Sequence, residues 1–368
     1  MQVVFFPRND YPNNIEICTH RLGKKMTFTE QTDVQNVWYN SINTFSAFIE
    51  KAKAKSIKVG CFMDLSGPVR DDNNYIIDNY VDGKLWLDAY SYTNELAQKI
   101  AHGGIITEQE WAGAYNNTIL PNFRNFTGKK PVALSYSYGN DSFKDYVIPK
   151  FLGARNSEPS GNTIHNTFPT DYGLGHGNPN NEPYSISRYK SKASSMRWYD
   201  AAKEQGDNFE TQLQIVSQKI DETMLNGGWL NNFTHWHNYW QNGDEQWAEP
   251  YLNLLAQKNA NDEIYFAGYG EAVAYLVYRE SISRAVMYSP VGVENNKLII
   301  RLEAKNIFNI DTDLLQIPIS IKFSTANTPL ENQDVRCVYN LISLGNNQYI
   351  VEIPYNEYAC AVIERVNS

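Results

Sequence analysis

Apolar residues recur at three- and four-residue steps between 33 and 55, where Val34, Val37, Trp38, Ile42, Phe45, Phe48, Ile49 and Ala52 fall on one face. That period predicts a helix, with Asp33 as its N-cap. The same period predicts helices over 90–101, 208–225, 244–258 and 270–279. Thr107-Glu-Gln-Glu110 has the spacing of a capping box and opens another helix, which ends by Pro121. A further helix follows Gly139 and runs to about Leu152.

Short apolar runs over 15–19, 57–63, 131–135, 229–235 and 264–267 predict strands between these helices. Strand and helix alternate up to about residue 282, a pattern that demands a mostly parallel sheet with helices outside it. After residue 284 the helical period disappears. Strand-like runs over 285–291, 297–304, 317–324, 334–343, 348–353 and 358–364 are separated by turn residues. The expected fold class is a distorted (β/α) barrel of about seven units over 1–284, followed by a small antiparallel β-sandwich over 285–368. Residues 156–192, rich in Asn, Gly, Pro and Ser, predict a long loop, and Gly173–Gly177 within it reads as flexible chain.

Composition narrows the function. With 25 Tyr, 16 Phe and 8 Trp, and only 20% charged residues, the chain has the material for a packed core. A formal charge of −9 offers no basic surface for nucleic acid. No run of 18 apolar residues predicts a membrane span. Residues 1–7 carry no signal-peptide pattern, so the expectation is a place inside a cell or in a virion. Cys18, Cys61, Cys337 and Cys360 share no C-x-x-C spacing and read as buried thiols.

In a parallel barrel the C-terminal strand ends converge on one mouth. His20, His102, His235 and His237 are placed as candidates for that mouth, where imidazole can ligate zinc or move a proton. Against this stands the plainer role of a hydrogen-bonded histidine. Trp229, Trp236, Trp240 and Trp247 put half the tryptophans within 19 residues. Aromatic faces suit sugar rings, although the same rings can simply close a core. No paired carboxylates of glycosidase type, G-x-S-x-G elbow, Walker loop or H-E-x-x-H stretch is present.

The order of these features resembles the polysaccharide deacetylases, a superfamily of carbohydrate esterases. Thr127-Gly-Lys-Lys-Pro131, Leu134-Ser-Tyr-Ser-Tyr-Gly139 and Phe151-Leu-Gly-Ala-Arg155 are similar to one segment of that family. Gly227 to His235 is similar to its late strand with a Leu-x-His end, and Asp262 to Arg279 to its closing strand and helix. The resemblance implies a barrel that binds zinc or a similar metal through one Asp and two His, with another Asp as base and a late His as acid. Carried over, His235 takes the catalytic place and His102 a metal place. Tyr136 and Tyr138 in the Leu134–Gly139 segment, and Trp236 and Trp240 in the aromatic cluster, are the candidate substrate-binding residues, and His20, after the first predicted strand, is the other candidate metal ligand. The family's first motif falls on Thr19-His-Arg-Leu-Gly23, where Arg21 and Leu22 replace its two aspartates. Its paired-histidine motif falls on His102 and Ile106, and Ser135 replaces its arginine.

The leading expectation is therefore a glycan-directed protein with a degenerate metal site, binding polysaccharide with weak or no esterase or amidase activity. The cofactor expectation is none, or a divalent metal such as zinc. One alternative is an active N- or O-deacetylase, with His20, His102 and His235 or His237 rebuilding the site beside Asp64. Another is a virion or assembly component that keeps the barrel as a scaffold and meets protein partners.

Overall fold

A computed structural model of the chain describes residues 8–34, 42–64, 71–90, 94–136, 142–147, 150–155, 193–291, 296–304, 311–355 and 359–366. Tyr138 and the expected loop over 156–192 lie outside the described residues. Two compact units are present. One comprises Met1–Lys24, Tyr275–Ile307 and Leu315–Ser368, and the other Lys25–Ala274 and Phe308–Leu314.

In chain order the strands begin with β1 (Arg8–Asp10) and β2 (Ile15–Ile17). Eight follow in the larger unit: β3 (Met26–Val34), β4 (Val59–Met63), β5 (Leu85–Tyr90), β6 (Ala133–Ser135), β7 (Gly153–Arg155), β8 (Ala193–Met196), β9 (Trp229–Phe233) and β10 (Ile264–Ala267). The last seven are β11 (Ile282–Pro290), β12 (Lys297–Ala304), β13 (Ile319–Ser324), β14 (Val335–Arg336), β15 (Leu341–Gly345), β16 (Gln348–Ile353) and β17 (Cys360–Arg365).

The larger unit holds a curled parallel sheet ordered β7-β6-β5-β4-β3-β9-β8, with β10 also paired to β3. Among the described residues helices lie between β3 and β4, β4 and β5, β5 and β6, β6 and β7, β8 and β9, and β9 and β10, as the alternation predicts, and the result is a distorted (β/α) barrel. The hub is β3, all nine residues of which are buried. It pairs with β9 through Thr27–Gln31, with β4 through Gln31–Val34 and with β10 through Met26–Thr29. Because alternate side chains leave opposite faces of a strand, Thr29, Gln31 and Asp33 share one face and Phe28, Glu30 and Thr32 the other.

The strand–helix junction after β10 depends on glycine. A Cβ on Gly268 would lie 2.0 Å from Trp86 Cβ, and one on Gly270 would lie 2.1 Å from Asp88 Oδ1. The bare Gly270 amide instead donates to Asp88 at 2.8 Å, which ties β5 to the start of the helix Tyr269–Glu280. The expected capping box is present: Glu110 N donates to Thr107 Oγ1 at 3.3 Å, and Thr107 N donates to Glu110 Oε2 at 2.8 Å. The helix Phe209–Asn226 is capped by the Asn208 side chain and ends at Gly227, whose φ of 60° is left-handed.

The smaller unit holds two antiparallel sheets, β1-β11-β12-β17-β14 and β15-β16-β13-β2. Alternate positions Leu298, Ile300 and Ile363 in the first sheet and Ile319, Ile321 and Phe323 in the second are buried, the pattern of a small sandwich.

Two sequence expectations are corrected here. The run over 15–19 is not the first parallel strand, because β2 pairs antiparallel with β13. The helix predicted from residue 33 does not begin there, because Asp33 lies in β3 and the described helix spans Ile42–Lys53. Met26-Thr-Phe-Thr-Glu-Gln-Thr-Asp-Val34 is too polar to read as a buried strand, since both of its faces carry side chains that hydrogen-bond inside the unit.

Candidate functional site

The C-terminal ends of the parallel strands bring together residues far apart in the chain. Arg155, the last residue of β7, forms a buried ion pair with Asp33 near the end of β3. The same Nη2 donates to Ser135 Oγ at the end of β6, 2.6 Å away. In a flat sheet, four strand spacings of about 4.8 Å would hold β7 roughly 19 Å from β3, beyond the reach of any side chain. The ion pair thus spans the inside of the curl. The guanidinium Cζ lies 3.8 Å from the Phe233 ring centroid and 4.9 Å from that of Phe62. Both placements favour a cation. Nε and Nη1 of Arg155 are buried and have no hydrogen-bond partner among the described residues.

Beyond β9 the chain passes through Thr234, His235, Trp236 and His237. Its backbone is fixed to β3: Thr234 N donates to Gln31 O at 3.0 Å, and Trp236 N to Thr32 Oγ1 at 3.3 Å. The His235 ring meets Phe233 edge-on at 4.8 Å and lies 5.4 Å from the His237 ring. His237 in turn packs 5.8 Å from Phe45. Arg197, just after β8, holds Asp200 at 2.7 Å.

Burial pushes the His235 pKa down to about 4; Arg155 and Arg197 reinforce that and Asp200 opposes it. Burial also brings His237 down to about 4, with His235 adding to the shift and Asp33 opposing it. Both imidazoles are therefore neutral near pH 7 and can accept a hydrogen bond. Burial raises the Asp33 pKa, while the Arg155 guanidinium opposes that rise.

Behind this mouth lies a second polar cluster. Glu30, fully buried, accepts hydrogen bonds from Asn232 Nδ2 at 2.6 Å, Trp236 Nε1 at 2.9 Å and Tyr251 Oη at 2.5 Å.

The predicted site residues separate. His235 and His237 meet at the mouth. His20 is buried in the smaller unit after β2, so it does not end a parallel strand as expected. His102 is exposed past the helix Asn94–Ala101, with Nδ1 2.6 Å from the Gln98 carbonyl. Asp64 is buried directly after β4, its N–H donating to Val34 O. Tyr136 is buried edge-on to Phe143 at 5.3 Å. Trp236 is fully buried and stacked on Phe48 at 4.5 Å, so its faces are not open to a sugar. Trp240 keeps partial exposure.

A zinc site needs three or four donors in one place. Among the described residues no three His, Cys, Asp or Glu side chains gather in that way. Asp33 is already held by a guanidinium, which repels a cation. The donor set does not fit the metal that the family resemblance implies.

Asp33, Arg155 and Arg197 were not expected as site residues. Asp33 read as a helix cap and Arg155 only as a landmark, and nothing local relates them across 122 positions. The one available signal was the alternation Thr27, Thr29, Gln31, Asp33, a polar face on a strand.

No family model matches the chain, and no curated protein does. Solved structures do. The chain is similar to the Xyl-CE4 domain of a multidomain xylanase from the hindgut metagenome of Trinervitermes trinervoides, at 12% identity over 68% of this chain and 89% of that one, with a TM-score of 0.35. It is also similar to a polysaccharide deacetylase from Bacillus cereus, at 11% identity over 67% of this chain and 92% of that one, with a TM-score of 0.33. Identities and superpositions at this level say nothing about chemistry.

Proposed function

We propose that the chain is a glycan-directed protein on a deacetylase-like barrel, which binds polysaccharide at the mouth formed by Asp33, Ser135, Arg155, His235 and His237 and has weak or no deacetylase activity. The supporting observation is Arg155. Its Nη2 is fixed by Asp33 and Ser135 and its faces are covered by Phe62 and Phe233, while Nε and Nη1 have no partner among the described residues. Buried donors left unmatched cost about 1–3 kcal/mol; both are closed to solvent, so side chains at the mouth must part before a hydroxyl or acyl oxygen can reach them, and one that did would be bound strongly for its size. Neutral imidazoles beside them add acceptors for sugar hydroxyls. Calorimetric titration with acetylated and deacetylated polysaccharides tests this. The expected result is saturable binding that Arg155→Met removes; no binding to any of them overturns the reading.

A further inference from the structure

We infer that Glu30, which lies on the face of β3 opposite Asp33, is the positioning residue for the two mouth histidines, acting through the indole of Trp236. This inference rests on the proposed mouth site, but its first readout does not require a glycan.

Trp236 stands between His235 and His237 in the chain. Its ring points away from the mouth, stacked on Phe48 at 4.5 Å and packed beside Phe45 at 6.4 Å. Its N–H donates to Glu30 Oε1 at 2.9 Å. Stacking alone fixes a plane and leaves the ring free to slide within it. The hydrogen bond to the Glu30 oxygen fixes its direction and depth. With the Trp236 backbone also bound to Thr32 Oγ1 at 3.3 Å, two points on β3 define where the flanking histidines sit.

The other carboxylate oxygen of Glu30 is held from both sides of the segment. Asn232 on β9 donates to Oε2 at 2.6 Å and Tyr251, in the helix Ala248–Lys258, donates at 2.5 Å. All three donors are uncharged. A lone buried carboxylate is costly compared with an apolar side chain of similar size. What this one supplies is geometry: one rigid acceptor that fixes a strand, a helix and the histidine-bearing turn to each other. Phe28, its neighbour on the same face of β3, shows that an apolar residue packs there.

The experiment compares Glu30→Gln with the unaltered protein by heteronuclear NMR, after circular dichroism has shown that the fold is intact. Trp236→Phe assigns the Trp236 indole resonance. It also serves as a second route to the same question, because it keeps an aromatic ring on Phe48 and deletes the donor. The expected result is that both variants move the ring resonances and titration midpoints of His235 and His237, and that polysaccharide affinity falls on the order of tenfold, as when an outer hydrogen bond orienting a site residue is lost. Histidine resonances and midpoints identical to the unaltered protein in either folded variant overturn the inference. If the unaltered protein binds no polysaccharide, the mouth reading fails, and the histidine resonances still decide the role of Glu30.

Discussion

Arg155 carries its charge into a place that is only 2% exposed, and the Asp33 carboxylate makes that tenable. Arg155→Met would leave Asp33 buried without its cation. The expected cost is about 3–5 kcal/mol, read by urea unfolding. Asp33→Asn should cost a similar amount, and the double variant much less than the sum, since the second change removes a charge already stranded. Glu30 makes a separate prediction. Burial lifts its pKa to about 7 from 4.5. The folded chain therefore holds a proton that the unfolded chain releases between pH 4.5 and 7, so this group's contribution is complete below 4.5 and is lost as pH rises to 7. Glu30→Gln removes that loss. Its unfolding free energy should rise with pH relative to the unaltered protein by about 1 kcal/mol per unit between pH 5 and 7. Equal slopes would mean that Glu30 titrates normally. The signs reverse for His235 and His237, both lowered to about 4: their contribution is present above pH 6.5 and is lost as pH falls towards 4.

Elements were legible where one physical signal dominated. The helix Phe209–Asn226 follows the apolar period predicted over 208–225, and β10 (Ile264–Ala267) has the predicted bounds. β3 was hidden because its polar side chains are satisfied by residues about 200 positions away, such as the Asn231 side chain, whose Oδ1 accepts from Thr29 Oγ1 at 2.7 Å. No window of sequence contains both halves of that pairing. β2 misled for the reverse reason: an apolar run states that a strand is buried and is silent on which sheet takes it. The junction after β10 offers an element-scale test. Gly268→Ala places a Cβ 2.0 Å from that of Trp86. The strand must then part from the helix start, at a cost of about 1–3 kcal/mol or more, measurable as a lower urea midpoint. A midpoint unchanged from the unaltered protein would show that the two elements part without strain.

At the scale of the molecule, the barrel has a mouth and a donor set that disagree with the metal its resemblance implies. Mass spectrometry of untagged protein with added zinc should find less than a tenth of an equivalent retained; near-stoichiometric zinc would favour the hydrolase. The position of His235 just past the end of β9 was legible, because a strand followed by His is a local pattern. The Asp33–Arg155 pair was not, because it exists only once the sheet has curled. The hub position of β3 also has a consequence for synthesis. Its pairing with β4 can form early, yet Trp229, which donates to Thr29, is added 200 residues later. At about 5–20 residues per second, the nascent strand waits roughly 10–40 seconds on the ribosome with Glu30 and one whole edge unmatched. A chain built this way should lean on chaperones while it is being made, and its refolding from denaturant should be slow and sensitive to protein concentration.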